Sequence, residues 1–120
     1  MSDIIEKDAL VKLVELGYAA TMSGKVAKAR LIFSKLCDFD ETMQSAQIGL
    51  ALTFIVVDDF TKGDEILEKL DAKDDDVLAM KAFSCALQKK IIEGKALYDA
   101  IVNKDSPSAN LAQKVLNAAE

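Results

Sequence analysis

Two cysteines and a run of three aspartates are the residues of this 120-residue sequence most able to do chemistry. Cys37 and Cys85 could form a disulfide or act as reactive thiols, but they are far apart and belong to no Cys-x-x-Cys pair. Each lies in a helical pattern among Leu, Phe and Ala, so we interpret both as reduced core residues. The sequence has no His, the commonest general base and a frequent metal ligand. Thiol catalysis is therefore disfavoured.

The aspartate run at residues 74–76 raises the question of a cation site. It lacks the following Gly and the spaced Glu of a calcium-binding loop, so we interpret it as a helix cap. The sequence also lacks the G-x-x-x-x-G-K-[ST] pattern of phosphate-binding loops and the G-x-S-x-G pattern of serine hydrolases. We therefore expect a protein that is not an enzyme and that holds no metal or cofactor.

The charge and the apolar runs of the chain restrict its partners. The 20 acidic and 15 basic residues give a formal charge of -5 without a basic stripe, which disfavours nucleic acid. The longest apolar run, GLALTFIVV at 49–57, is too short to span a membrane. The start, MSDIIEKDAL, lacks the basic region of a signal peptide. We expect a cytoplasmic protein without membrane insertion.

The spacing of apolar residues predicts an all-α fold in a single domain over residues 1–120. One Pro and five Gly also favour helices over a sandwich of short strands. A buried strand at ALTFIVV, residues 51–57, stays open as an alternative, although no other segment would pair with it. The predicted helices cover residues 4–22, 25–37, 41–57, a part of DDFTKGDEILEKL, 76–93 (ended by Gly94), 96–103 and 107–119.

The first two predicted helices are joined by Ser-Gly-Lys, a joint so short that they must form an antiparallel hairpin. A 34-residue frame, the period of tetratricopeptide repeats, aligns Gly17 with Ala51 and Ala29 with Gly63. These small residues let paired helices approach closely, while Gly94 falls out of register in a third unit. The frame predicts about three stacked hairpins with a C-terminal capping helix. The large residues expected to fill the space beside the small ones are Leu16, Phe33, Phe54 and Leu67.

The chain resembles the small tetratricopeptide-type chaperones of bacterial type III secretion. The resemblance lies in GYAATMSGKVAKARLIFSKLCDFD and IGLALTFIVVDDFTKGDEIL, which combine a compact first helix, a Ser-Gly-Lys turn, a small-residue second helix, a Cys and an acidic link. It implies a client, namely an aggregation-prone amphipathic helix of a secreted needle or translocator subunit. Without an N-terminal helical extension, the chain fits the short needle-subunit branch better, which implies a second small co-chaperone as a further partner.

In stacked hairpins the first helix of each pair lines a concave face, which is almost wholly apolar in this frame. From Ile48 to Val57 the only polar side chain is Thr53, so this helix must be covered on both sides. Two covers stay open, namely the final helix at 107–119 or an amphipathic helix of a partner. The residues predicted to form a partner-binding groove are Val11, Val14, Tyr18, Met22, Ile48, Leu52, Ile55 and Val56.

Two functions are consistent with such a groove. One is a secretion chaperone, and the other is a general helical-repeat adaptor between cytoplasmic proteins. The sequence leaves open whether the protein forms a homodimer when the groove is empty.

Overall fold

The computed structural model describes residues 7–40 and 43–119, which form seven helices and no strand. The predicted all-α fold is confirmed, and the strand alternative for 51–57 is wrong because residues 51–55 are helical. Within the described ranges, no helix is both long and apolar enough to cross a bilayer. The helices are α1 (Lys7–Met22), α2 (Val26–Leu36), α3 (Met43–Ile55), α4 (Phe60–Glu68), α5 (Asp75–Leu87), α6 (Ile91–Asp99) and α7 (Pro107–Ala119).

The helices pair in chain order and the pairs stack along one direction. The hairpins α1/α2, α3/α4 and α5/α6 each pack internally, and α2 and α3, then α4 and α5, pack between successive hairpins. The last helix, α7, packs against α5 and α6 and caps the stack. The resulting body is elongated, with extents of 51 × 28 × 22 Å. The expected stack of about three hairpins with a C-terminal cap is therefore confirmed.

The joints of the three hairpins are built alike. Gly24, Asp58 and Lys89 have positive φ angles of 83°, 66° and 66°. In each joint the next backbone N–H donates to the carbonyl five residues earlier, a bond that closes the end of the first helix. These bonds are Lys25 to Ala20 (2.8 Å), Asp59 to Phe54 (2.9 Å) and Lys90 to Cys85 (2.8 Å). The joint therefore recurs after 34 residues and then after 31.

The third hairpin corrects the expected helix boundaries. The predicted helix 76–93 ends at Leu87, and the predicted helix 96–103 is α6, Ile91–Asp99. Gly94 does not stop a helix but lies buried inside α6. The turn residue is Lys89, whose left-handed backbone carries no glycine signal in the sequence.

The repeat frame holds in the third hairpin once three residues are removed. Ala29 on α2 corresponds to Gly63 on α4, and Ala46 on α3 corresponds to Val77 on α5. The first pair of places, 29 and 46, is 17 residues apart, whereas the second, 63 and 77, is 14 residues apart. The chain is therefore three residues shorter in the end of α4 and the link to α5. With a 31-residue step, every buried residue of α3 has a buried counterpart on α5. The third unit is therefore a regular repeat with a shorter link.

Glycines permit the close contacts between helices. A Cβ built on Gly17 or Gly49 would lie closer than 3.0 Å to the ring of Phe33, which therefore sits between the first two units. A Cβ on Gly63 would lie 3.1 Å from the carbonyl oxygen of Ala51. At the corresponding place of the third hairpin, a Cβ on Gly94 would lie 3.3 Å from the carbonyl oxygen of Ala82. Phe33 and Leu67 are fully buried, as the frame predicts.

Leu16 departs from this packing scheme. The frame predicts that it fills space between helices, but it is 51% exposed. Its counterpart on α3, Leu50, packs against the cluster formed by the first hairpin. Leu16 is exposed because no hairpin precedes α1 in the described structure to cover it.

Polar contacts join successive hairpins at corresponding places. Arg30 on α2 donates from Nε to Oγ1 of Thr53 and from Nη2 to the Thr53 carbonyl, both at 3.2 Å, and its guanidinium lies 4.0 Å from the centre of the Phe54 ring. One repeat later, Asp64 on α4 accepts a bond of 2.8 Å from Oγ of Ser84. The buried hydroxyls of Thr53 and Ser84 thus each bond to the preceding unit, and each also has a partner in its own helix or at its end, Leu50 and Gln88 respectively.

Candidate functional site

A pocket of about 460 Å³ opens on the concave side of the stack. Most of its wall comes from first helices of the hairpins, and the first turn of α7 closes one end. Most of the wall surface is apolar, although five of the ten lining residues are serines or acidic residues. The lining residues are Val14, Glu15, Tyr18 and Met22 of α1, Ser45 and Ile48 of α3, Asp76 of α5, and Ser106, Pro107 and Ser108.

The structure brings four of the eight predicted groove residues together in this pocket. Val14, Tyr18 and Met22 follow one another at intervals of one helical turn, and Ile48 lies across from them on α3. Met22 is 56% exposed, whereas Ile48 is nearly buried at 2%. The pocket therefore has a buried floor at Ile48 and an accessible side chain, Met22, at its edge.

Two of the predicted residues lie elsewhere, in the core. Leu52 is 1% exposed and Ile55 is fully buried, so neither can contact a partner in this conformation. Leu52 shares a cluster with Tyr18 and Phe83, the large residues at the corresponding places of α1 and α5, which close the concave face at this level. Ile55 instead packs against Gly63 of α4.

The remaining two predicted residues lie outside the pocket wall. Val11 is 46% exposed on the first part of α1, and Val56 is half-buried against the core just after α3. The alternative cover, a final helix folded over the groove, is present in part, since Ala112 of α7 shares a buried cluster with Ile48 and Leu52. The backbone of α7 approaches α5 and α6 but not α3 within the described residues, and only residues 106–108 reach the pocket.

Tyr18 places a hydroxyl group in the apolar wall. Its ring meets the ring of Phe33 edge-on, with centroids 5.4 Å apart and an angle of 76°. Burial, and to a lesser degree the nearby charge of Asp76, raise the pKa of the Tyr18 hydroxyl well above its usual range. The hydroxyl therefore remains protonated and can donate a hydrogen bond to a ligand.

The three consecutive aspartates have three different surroundings. Asp74 caps α5, as predicted for the run, by accepting from the backbone N–H groups of Asp76 (2.9 Å) and Val77 (3.1 Å). Asp75 accepts from the backbone N–H groups of Val102 (3.0 Å) and Asn103 (2.9 Å), which holds the link between α6 and α7. The Asp76 side chain neither caps α5 nor bonds the link before α7, and it lines the pocket.

Asp76 and Glu15 make the pocket acidic. Asp76 is exposed as a residue, but partial desolvation of its carboxyl, followed by the charges of Asp74 and Asp75, raises its pKa. Sequence reasoning assigned neither residue to the groove, and it interpreted Asp76 with the rest of its run as a helix cap. The repeat frame contained a usable signal, since Asp76 occupies the place on α5 that Val11 and Ser45 occupy on α1 and α3.

Both cysteines are free, and each is intermediate in exposure. Burial and the neighbouring Asp38 raise the pKa of the Cys37 thiol. Burial, Glu93 and Asp64 raise that of Cys85. A raised pKa lowers the thiolate fraction at neutral pH, so both thiols are weak nucleophiles.

Comparison of the chain with protein-family models, curated proteins and solved structures found no match.

Proposed function

We propose that this protein binds an amphipathic helix of another protein in its concave pocket and acts as a cytoplasmic chaperone for it. The observation that carries the proposal is the pocket itself. Three apolar side chains one turn apart on α1 face an apolar residue of α3, and the outermost of them, Met22, is 56% exposed. Such an arrangement matches the helix-in-groove mode of peptide recognition.

The dimensions of the α1 row fit a short helical segment. Val14 and Met22 are eight residues apart, which corresponds to about 12 Å along a helix. The apolar positions i, i+4 and i+7 of a bound helix extend over about 10 Å. Two turns of an amphipathic helix can therefore place their apolar side chains along Val14, Tyr18 and Met22.

The chaperone assignment follows from the resemblance to tetratricopeptide-type chaperones of type III secretion. In that role the client is a needle or translocator subunit whose amphipathic helix aggregates when it is uncovered, with a second small co-chaperone as a further partner. The competing assignment is a general helical-repeat adaptor. An adaptor joins proteins that are stable without it, whereas a chaperone keeps its client soluble.

Purification of the tagged protein from its native cells, with identification of co-purified proteins by mass spectrometry, tests the proposal. Met22→Glu should abolish recovery of the partner, because it places a charge in the apolar contact. Leu31→Glu is the matched control, since Leu31 is 60% exposed and lies on α2, away from the pocket. Equal recovery by both variants would contradict the proposal, provided that circular dichroism melts show both to be folded.

Removal of the protein from the cell separates the chaperone from the adaptor. The partner identified above should become insoluble or disappear if the protein is its chaperone. A partner that stays soluble at its normal level would identify an adaptor instead.

A further inference from the structure

We infer that the bound helix carries a Lys or Arg beside its apolar stripe, and that this cation pairs with Asp76 at the pocket wall. The inference rests on the proposed function and specifies the chemistry of its partner.

The charges that line the pocket all have one sign. Glu15 and Asp76 are acidic, and no Lys or Arg of the described residues lines the pocket. A partner helix with basic flanks is therefore attracted to this face, and an acidic helix is repelled.

Asp76 has no counter-charge or hydrogen-bond donor for its carboxylate in the described part of the chain. The ion pair of the described residues joins Lys81 Nζ and Glu68 Oε2 at 3.7 Å and does not include Asp76. The carboxylates of Asp74 and Asp75 accept two or more hydrogen bonds each, whereas that of Asp76 accepts none from these residues. A cation supplied by the partner would give Asp76 the bonding that its neighbours already have.

The position of Asp76 directs it at the bound helix. It lies one repeat after Ser45, which also lines the pocket, and two repeats after Val11, on the same row of the first helices. The hydroxyl of Tyr18 belongs to the same pocket and stays protonated, so it can bond an acceptor on the partner's backbone while Asp76 binds the cation. The apolar floor, the Tyr18 hydroxyl and the Asp76 carboxylate together fit a bound amphipathic helix that carries basic residues along one edge.

The pKa of Asp76 gives a readout that a purely structural residue would not show. Asp76 is exposed as a residue, but partial desolvation raises its folded pKa, so the charged carboxylate reduces stability slightly at neutral pH. This cost begins to fall as the pH drops through the folded pKa and is absent below the unfolded pKa. Asp76→Asn should therefore weaken binding without lowering the melting temperature of the free protein. If Asp76 served the fold instead, its substitution would lower both the affinity for the partner and the melting temperature.

The test uses a displayed library of amphipathic helices of ~15 residues, near the length at which isolated helices become populated. Every member has the same apolar stripe, and one position beside the stripe varies. Selection on the wild-type protein should enrich Lys and Arg over Asp and Glu, and isolated basic binders should bind on the order of fivefold more tightly than their acidic counterparts. Asp76→Asn should reduce this preference strongly, leaving only the weaker attraction of Glu15, whereas the exposed Asp99→Asn on α6 should keep it in full.

Several results would overturn the inference. Binders that are lost with Met22→Glu but show no charge preference would leave the helix-binding function standing without the role of Asp76. A library that yields no binder would remove the proposed function as well. A concentration-dependent dimer that competes with the peptides, measured by sedimentation, would assign the pocket to a second copy of this chain.

Discussion

Neighbouring carboxylates in this protein have pKa values shifted in opposite directions. Two backbone N–H groups stabilise the charged form of Asp75 and lower its pKa, whereas burial raises that of Asp76. Asp75 therefore supports the fold by holding the link before α7, and Asp76 opposes it slightly. Residues adjacent in a run of like charge can thus serve the fold and the binding pocket separately.

The lowered pKa of Asp75 predicts a pH-dependent contribution to stability. This contribution is present above the unfolded pKa, about 3.9 for Asp, and is lost as the pH falls through the folded pKa. Asp75→Asn should lower the melting temperature at neutral pH, and its difference from wild type should shrink in acid. Thermal melts followed by circular dichroism at a series of pH values would measure this. Asp99→Asn is the control, and a difference that grows in acid would contradict the account.

The buried position of Leu52 predicts a large effect on folding. Leu52→Ala should reduce the free energy of unfolding by about 2–5 kcal/mol, and Leu52→Glu should unfold the protein. Met22→Ala should change it by no more than about 0.5 kcal/mol, because Met22 is largely exposed. Urea denaturation would compare the variants. A folded Leu52→Glu protein would show that this side chain faces an open groove after all.

At the level of the helices, tight pairing depends on small residues at the fourth place of each second helix. Ala29, Gly63 and Gly94 occupy this place, and the two glycines lie against backbone carbonyls of the partner helix. The 34-residue period identified Ala29 and Gly63 from the sequence. Gly94 was wrongly predicted to end a helix because the turn before α6 uses Lys89 rather than glycine. The link before α5 is also three residues shorter than the 34-residue period requires.

The contact at Gly63 predicts that even one added methyl group is harmful. Its Cβ would lie 2.6 Å from a side-chain carbon of Ile55 and 3.1 Å from the carbonyl of Ala51. Gly63→Ala should therefore cost on the order of 1–2 kcal/mol, although alanine is the better helix former. The exposed Lys62→Ala on the same helix should cost less than about 0.5 kcal/mol. A Gly63→Ala variant as stable as wild type in chemical denaturation would show that α3 and α4 are further apart than described.

For the molecule as a whole, the sequence predicted the concave face but not its depth. Periodicity placed Val14, Tyr18, Met22 and Ile48 on one face, and the structure brings them together. Burial of Leu52 depends on how tightly three hairpins curve and on aromatic residues of two neighbouring units, which periodicity does not report. Asp76 was not assigned to the pocket because the sequence does not show which aspartate of the 74–76 run caps α5 and which one faces the concave side.

The central claim is that the concave pocket holds a helix, and site-specific photo-crosslinking tests it most directly. A photoreactive amino acid would replace Met22 in one sample and Leu31 in the other, both exposed to a similar degree. The account predicts that position 22 crosslinks to a partner at residues spaced i, i+3, i+4 and i+7 on one helix face, and that position 31 gives no such pattern. Crosslinks of equal yield from both positions, or crosslinks from position 22 to a segment without an apolar stripe, would contradict it.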